Sequence, residues 1–176
     1  MFPIDFCHIP VSIIKRSAGR SAVAAAAYRS GTKLTNEWDG LTHDYTRKGG
    51  IVHVEIMLPA HAPPEFADRS ILWNSVEQIE KARDSQLARE IEAALPRELS
   101  GEQQLALVRA YVKDNFVDKG MCADFAIHDK GTGNPHVHIM LTVRPLKENG
   151  AWDAKCRKAY DLDENGQRIP DGKGGW

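Results

Sequence analysis

The chain has 176 residues, a length typical of one domain that can bury a sizeable core. Hydrophobic residues make up 42% and charged residues 27%, the proportions of an ordinary globular protein. A formal net charge of −1 argues against a protein that is basic over its whole surface. No apolar stretch is long enough to cross a bilayer, and the N-terminus is no signal peptide, so we expect an intracellular protein without membrane insertion.

The three cysteines, Cys7, Cys122 and Cys156, are far apart and form no Cys-x-x-Cys pair. Their odd number and spacing argue against a disulfide scaffold and against a thiolate zinc site. We expect reduced, buried thiols that act as small hydrophobic residues.

Basic residues gather in one part of the chain. Residues 11–50 contain three acidic side chains, whereas acidic residues gather between 65 and 102. The distribution predicts that one side of the molecule is basic, although a solvated charge run without a partner explains it as well. The basic residues of this segment are Lys15, Arg16, Arg20, Arg29, Lys33, Arg47 and Lys48.

The first half of the chain predicts two strands and a helix. Residues 2–14 are rich in β-branched and aromatic residues and predict a strand. Residues 21–31 are alanine-rich, begin with a serine cap and end in glycine, which predicts a helix with Tyr28 in its last turn. Residues 36–50 read as a polar loop, and residues 51–58 as a second strand.

The second half predicts two helices and three strands. Apolar residues at helical spacing predict an amphipathic helix over 70–83. Residues 86–95 fit a helix or a strand, and their Leu-Pro ending, which parallels that of the second strand, favours a strand. A Ser-x-x-Gln capping box at Ser100 begins the third helix. Strands over 121–127 and 136–143 follow it.

The fold class predicted from this order is α+β. We expect a central, mainly antiparallel sheet of about five strands, with helices packed on one face and the other face free. A free face that carries polar ligands would form the floor of a cleft.

The most informative motif is His128 followed, eight and ten residues later, by His136 and His138. Alternate strand residues share a face, so His136 and His138 should stand side by side, with Val137 and Ile139 on the opposite face. A Gly- and Pro-rich turn would return the chain and bring His128 beside them. Three neutral imidazoles leave open positions on a divalent metal, as a catalytic site requires. Ordinary polar residues on a half-exposed sheet face are the alternative.

Tyr28 is a candidate nucleophile. Its neighbours one helical turn away are Ala24, Ala25 and Gly31, so nothing large shields its hydroxyl, and Arg29 lies beside it. A phenol is a weak nucleophile unless a cation or a base assists it, and a metal with Arg29 could do so. An ordinary aromatic residue packed on the sheet remains the alternative.

Four motifs, in this order, resemble the MobA/MobL family of plasmid relaxases, and in particular the TraA-type conjugative relaxases of the HUH endonuclease class. They are Ala-Ala-Ala-Tyr28-Arg-Ser-Gly, His43-Asp-Tyr-Thr-Arg-Lys-Gly-Gly, Gln86-Leu-Ala-Arg-Glu-Ile-Glu-Ala-Ala-Leu-Pro-Arg-Glu-Leu and Gly133-Asn-Pro-His-Val-His-Ile-Met-Leu-Thr. The resemblance runs from Phe2 to about Trp152. Each motif alone would be weak, but their joint occurrence in order is specific.

The resemblance implies an HUH relaxase fold, palm-like in form, and a metal-dependent enzyme that nicks and rejoins one DNA strand at a plasmid origin of transfer. Tyr28 would attack a phosphodiester and keep the 5′ phosphate as a phosphotyrosine, leaving a free 3′ hydroxyl. His128, His136 and His138 would hold Mg²⁺ or Mn²⁺ over the scissile phosphate. The expected partners are single-stranded origin DNA, relaxosome accessory proteins and a coupling protein, in a bacterial cytoplasm with a plasmid-borne gene.

Supporting residues are also expected. Glu90 and Glu92 share a strand face, and one of them should orient a metal-binding histidine, with surface charge as the alternative; the pair His53 and Glu55 is a weaker candidate. The expected contacts to the DNA backbone are Lys15, Arg16, Arg20, Arg29, Arg47 and Lys48, and the expected platforms for base stacking are Trp38, Tyr45 and Trp152.

Two other classes of function stay open at this point. A zinc hydrolase would use a metal-bound hydroxide and would not need Tyr28. A noncatalytic DNA-binding accessory module would not need the histidines. Rolling-circle replication initiators share the histidine pair, but their tyrosine usually follows it, whereas Tyr28 precedes it. We expect residues 1–176 to form one nicking domain, truncated relative to longer relatives, with 145–176 as a polar hairpin or flap.

Overall fold

The computed structural model describes residues 9–155, 163–167 and 169. The beginning of the first predicted strand, Cys7, Cys156 and most of the C-terminal segment lie outside these residues. The elements in chain order are β1 (Val11–Lys15), α1 (Ala22–Ser30), β2 (Lys33–Thr35), β3 (Thr42–Asp44), β4 (Ile51–Met57), α2 (Arg69–Ile79), β5 (Gln86–Ala94), α3 (Gly101–Asn115), β6 (Ala123–His128) and β7 (His136–Thr142).

Five strands form one antiparallel sheet in the order β1-β5-β7-β6-β4, and β2 pairs with β3 in a separate hairpin. The predicted α+β class and five-stranded sheet are confirmed, as is the choice of strand for residues 86–94. The β2–β3 hairpin was missed because each strand has three residues and is joined by polar pairs. Thr35 bonds to Thr42 across it, and Lys33 pairs with Asp44.

The expectation that all helices pack on one face is wrong. The core on one face combines α1 and α2 with residues such as Met140, whereas a second core combines α3 with Phe125 and Ile139. Both faces of β6 and β7 need cover because β6 is buried throughout and so is β7 beyond His136. The histidines share the face of Met140, so they lie on the side covered by α1 and α2.

Local caps fix the helix that approaches the histidines. Ser21 accepts a hydrogen bond from the amide of Ala24 and begins α1, and Gly31, with φ of 64°, ends it. The predicted capping box is present at the start of α3. The helix predicted to reach residue 83 ends at Ile79, where the side chain of Glu80 turns inward and pairs with Arg144.

The segment that follows β7 begins within the core. Leu146 is buried, and Trp152 stacks on Phe66 and donates a hydrogen bond to Ser75. A turn at Asn165 and Gly166 lies among residues 163–167. None of the helices among the described residues has the length and apolar character needed to span a membrane.

Candidate active site

The three histidines meet at one end of the sheet. His128, the last residue of β6, lies directly across from His136, the first residue of β7, and His138 is two residues further along. Their ring centroids are 4.8 to 5.4 Å apart. One nitrogen from each ring lies within 4.8 Å of a nitrogen from each of the others. The turn between the strands therefore brings together the three residues that the sequence singled out.

Contacts with carbonyl oxygens indicate which ring nitrogen carries the proton in two of the histidines. His128 donates from Nε2 to the carbonyl oxygen of Arg29 at 2.8 Å, and His136 donates from Nδ1 to the carbonyl oxygen of Asn134 at 3.0 Å. A carbonyl can only accept, so the other nitrogen of each ring keeps its lone pair. These two rings are thus oriented in the way that metal-binding histidines usually are.

His138 is oriented by carboxylates instead. Its Nδ1 lies 3.6 Å from Oε1 of Glu90 and 3.7 Å from Oε2 of Glu92. These distances are slightly longer than a hydrogen bond, and this buried nitrogen has no hydrogen-bond partner among the described residues. A proton on Nδ1 faces the two carboxylates favourably, which leaves the lone pair on Nε2. Both glutamates of the predicted pair therefore lie at the site.

The donor set fits a divalent metal. His128 and His138 are buried, and burial lowers the pKa of His128 to about 4 against the opposing effect of the hydrogen bond that His128 donates to the carbonyl oxygen of Arg29. That imidazole is therefore neutral at pH 7 and offers a lone pair. Three neutral nitrogen ligands add no negative charge, so a bound cation would keep its full charge for an anionic ligand.

Glu90 connects the histidines to α1. Its carboxylate is 6% exposed and is held by the guanidinium of Arg29, with Ser12 and Arg20 each at 3.5 Å from Oε2. Burial by itself would raise the pKa of Glu90, but His138 and Arg29 outweigh it and lower the pKa to about 2. The group is a permanent anion between two cationic or hydrogen-donating side chains. Glu92, by contrast, has a side chain that is 56% exposed.

Tyr28 lies beside this cluster, in the last turn of α1. The carbonyl that accepts the hydrogen bond of His128 belongs to the next residue, Arg29. Tyr28 is 43% exposed, and its hydroxyl has no hydrogen-bond partner among the described residues. Its ring packs edge-on against Tyr45 with centroids 5.1 Å apart, and the Nζ of Lys48 is 3.6 Å from its centroid. The phenol is thus anchored by its ring and open at its oxygen.

The predicted basic contacts separate into two groups. The side chain of Arg16 is 14% exposed, pairs with Glu77 at 2.8 Å and donates to backbone carbonyls at the end of α2, so its charge is compensated within the protein. Arg29 is held by Glu90. The others remain accessible to differing degrees, and these are Lys15, Arg20, Arg47 and Lys48.

Other predicted residues lie elsewhere. His53 and Glu55 bond to each other, and Glu55 also pairs with Arg109 of α3, so this pair lies on the face opposite the histidines. Trp152 stacks on Phe66 and packs against the core. Trp38 is 47% exposed, but the guanidinium of Arg16 covers one of its faces.

Sequence reasoning missed two features of the site. Lys130, two residues after His128, lies in the cleft that opens beside Tyr28. The bond between Glu90 and Arg29 joins residues 61 positions apart. For Lys130 the only signal was its place in the turn of the histidine motif. The bond between Glu90 and Arg29 joins residues that are distant in the chain, so one sequence carries no signal for it.

Comparisons with known proteins agree with this arrangement. Conjugal transfer protein TraA of Agrobacterium fabrum (strain C58) is 46% identical over 172 residues, which cover 92% of this chain and 15% of TraA. Mobilization protein MobL of Acidithiobacillus ferridurans is 39% identical over 181 residues, which cover 89% of this chain and 46% of MobL. The chain thus spans less than half the length of either relative.

A solved structure from work on the molecular basis of vancomycin resistance transfer in Staphylococcus aureus has the same fold. It superposes with a TM-score of 0.81 at 31% identity, over 95% of this chain and 81% of that one. The MobA/MobL family matches residues 20–174, a span that includes Tyr28 and all three histidines. With the fold and the motifs in agreement over nearly its whole length, the chain belongs to the MobA/MobL family.

Proposed function

We propose that residues 1–176 form the nicking domain of a relaxase that starts the transfer of plasmid DNA. The domain would cut and rejoin one strand at an origin of transfer, in a reaction that depends on Mg²⁺ or Mn²⁺. The observation that carries this proposal is the bond from His128 to the carbonyl of Arg29, because it ties a three-histidine cluster to the residue next to Tyr28. The family match and the names of the relatives support a role in plasmid transfer.

In the proposed reaction the phenolic oxygen of Tyr28 attacks the scissile phosphorus. A bond forms between that oxygen and phosphorus, and the bond from phosphorus to the 3′ oxygen breaks. Tyr28 loses its hydroxyl proton to solvent, and the departing 3′ oxygen takes up a proton to become a hydroxyl. The 5′ phosphate stays on Tyr28 as an ester, so the energy of the original bond is retained and the reverse step can rejoin a strand without a nucleotide cofactor.

Each side chain of the cluster has a part in this proposal. His128, His136 and His138 would hold a divalent cation, which would supply positive charge to offset the charge gathering on the nonbridging oxygens. Glu90 and Glu92 keep the proton of His138 on Nδ1 and so fix its ring. Arg29 and Lys48 lie 5.0 and 3.6 Å from the ring centroid of Tyr28, so their positive charges are close to the attacking residue.

The substrate and partners follow from the same proposal. A phenol and a metal must approach one phosphate from different sides, which favours single-stranded or locally melted origin DNA over an intact duplex. Relaxosome accessory proteins and a coupling protein would act with this domain in the bacterial cytoplasm. Accessible basic residues near Tyr28, such as Arg20 and Arg47, would contact the backbone.

A covalent-adduct assay tests the proposal. The protein is incubated with labelled single-stranded oligonucleotides that tile the origin of its plasmid, with Mg²⁺ or Mn²⁺, and analysed on a denaturing gel. We expect one oligonucleotide to form an adduct that resists denaturation, needs the metal and disappears in Tyr28→Phe. Tyr111→Phe is the matched control, since Tyr111 is 37% exposed on α3, on the opposite face of the sheet.

An adduct that survives in Tyr28→Phe would remove Tyr28 from the role of nucleophile. Cleavage without any adduct, unaffected by Tyr28→Phe and supported by bound zinc, would favour a hydrolase that uses a metal-bound hydroxide. Binding of origin DNA without cleavage, unchanged in His136→Ala, would favour an accessory module.

A further inference from the structure

A second feature beside Tyr28 is a wide basic cleft. It has a volume of about 820 Å³ and opens between β3, the start of β4 and the turn that follows His128. Tyr28 and Tyr45 are its aromatic lining residues. Its remaining lining residues are Asp44, Arg47, Lys48, Gly49, Gly50, Asp129 and Lys130. The cleft therefore collects three cations from two separate segments of the chain.

Two of the cations are held in place by the backbone around them. The Nζ of Lys48 donates to the carbonyl oxygen of Tyr28 at 2.8 Å while lying over its ring. Gly50 has a φ of 80°, and a Cβ on it would lie 2.7 Å from the Cγ of Lys130. The absence of a side chain at Gly50 thus lets the stem of Lys130 lie against the chain. The Nζ of Lys48 is consequently fixed relative to Tyr28, and the stem of Lys130 lies against Gly50.

The cations of the cleft have no carboxylate partner among the described residues. Asp44 accepts from the amide and hydroxyl of Thr46 and pairs with Lys33, and Asp129 accepts from the amide of Gly131. Both carboxylates are therefore engaged with their own loops. By contrast, the arginines of the neighbouring α1 region, Arg16, Arg20 and Arg29, all have a glutamate partner.

The charge balance in the cleft favours an anion. Burial, together with the nearby charges of Arg29 and Lys130, lowers the pKa of Lys48 to about 8. A half-buried ammonium beside two other cations is unfavourable alone and becomes favourable when an anion joins it. An extended anion fits an open cleft of this size better than a small enclosed ion does.

We propose that Lys48 and Lys130 form a phosphate-binding subsite in this cleft, which holds the backbone phosphate of the nucleotide next to the scissile one. The inference rests on the proposed nicking function. Because the Nζ of Lys48 also bonds to the main chain of Tyr28, a phosphate bound there is positioned relative to the phenol. The subsite would therefore set the register of the strand across the nucleophile. Arg47, at the edge of the same cleft, adds charge without a fixed position.

The test measures binding of single-stranded DNA as a function of salt. Protein carrying Tyr28→Phe, which prevents cleavage, is titrated against a fluorescent oligonucleotide of 12 thymidines (roughly the site size of a small single-strand binder) in NaCl from about 50 to 200 mM. Lys48→Gln and Lys130→Gln are then introduced singly and together. Lys119→Gln is the matched control, since Lys119 is exposed and lies outside the cleft.

We expect the double variant to reduce the slope of log K against log [NaCl] by about 0.7, the value for one phosphate contact on a single strand, and each single variant by part of that amount, because both lysines hold the same phosphate. Lys119→Gln should leave the slope unchanged. In a second arm, neutral methylphosphonates replace single phosphates around the nick of an origin oligonucleotide. One such replacement, adjacent to the nick, should weaken binding by wild type but have no further effect in the double variant.

Two outcomes would overturn the subsite. One is an unchanged slope in both single variants. The other is that every methylphosphonate weakens binding by the double variant as much as binding by wild type, which is the behaviour of diffuse charge. Either can occur while wild-type protein still forms the Tyr28 adduct, so the subsite can fail without the proposed function. Loss of the wild-type adduct itself would overturn the proposed function instead.

Discussion

Replacing Glu90 by glutamine tests the link between the histidine cluster and α1. The substitution keeps the shape of the side chain and removes its charge. In the wild type this buried carboxylate faces Nδ1 of His138 on one side and the guanidinium of Arg29 on the other. The side chain of Arg29 is 19% exposed, so its charge would be left largely without compensation. We therefore expect a less stable protein and a poorly oriented His138.

The size of the effect follows from the pKa of Glu90, which is lowered from 4.5 to about 2. A tenfold change in an acid dissociation constant corresponds to about 1.4 kcal/mol, so the folded state favours the carboxylate over the neutral acid by about 3 kcal/mol. Glutamine resembles the neutral acid, and the cost at pH 7 should therefore be about 3 kcal/mol. This agrees with the ~3 to 5 kcal/mol expected when one partner of a buried ion pair is removed.

The pH dependence has a defined sign. A depressed pKa means that the unfolded chain binds a proton more readily than the folded one. The stabilisation by Glu90 is therefore complete above pH 4.5 and is lost as the pH falls from 4.5 towards 2. The difference in unfolding free energy between wild type and Glu90→Gln should shrink over the same range.

Urea unfolding of the metal-free protein, followed by circular dichroism at pH 7 and at several lower pH values, measures this difference. Glu92→Gln is the control, because its side chain is 56% exposed and should change stability by less than about 1 kcal/mol. In the metal-loaded protein, Glu90→Gln should also weaken metal affinity by roughly 10- to 100-fold. A Glu90→Gln variant within about 0.5 kcal/mol of wild type at pH 7 would refute the reasoning.

Two further predictions concern the histidine cluster and one of the basic residues expected to contact DNA. His138→Ala should abolish high-affinity Mn²⁺ binding in isothermal titration calorimetry, whereas His53→Ala, on the face of α3, should leave it unchanged; equal losses in both would contradict the assignment of the site. Arg16→Ala should destabilise the fold by ~3 to 5 kcal/mol in urea unfolding, since Glu77 would keep a buried charge without its partner. Arg47→Ala, on the exposed loop, is the control and should cost less than about 0.5 kcal/mol. An Arg16→Ala variant that is as stable as wild type but binds DNA more weakly would instead support a contact between Arg16 and the DNA backbone.

The elements of this fold were predictable where a local signal dictated them. The caps at Ser21, Gly31 and Ser100 set the limits of α1 and the start of α3, and the Leu-Pro ending of residues 86–95 favoured a strand. The predicted position of α3 was wrong because the face on which α3 packs depends on apolar residues of β7, which lie far from α3 in the sequence. Val137 and Ile139 point away from the histidines, as their alternation predicted, and such apolar residues need a cover of their own. The alternation of Val137 and Ile139 with the histidines already implied two faces that need cover, whereas the prediction assumed that one face was free.

The histidine cluster was predictable for a different reason than the rest of the site. His128 and His136 are eight residues apart and pair across one turn, so the strand period and the turn composition suffice to bring them together. Arg16 and Arg29 look alike in the sequence, as basic residues within one segment, yet each is committed to a buried glutamate more than 60 positions away. Lys48 and Lys130 have no such partner among the described residues. A basic residue is available to a nucleic acid only when the fold leaves its charge uncompensated, and that balance is set by tertiary contacts that a single sequence does not encode locally.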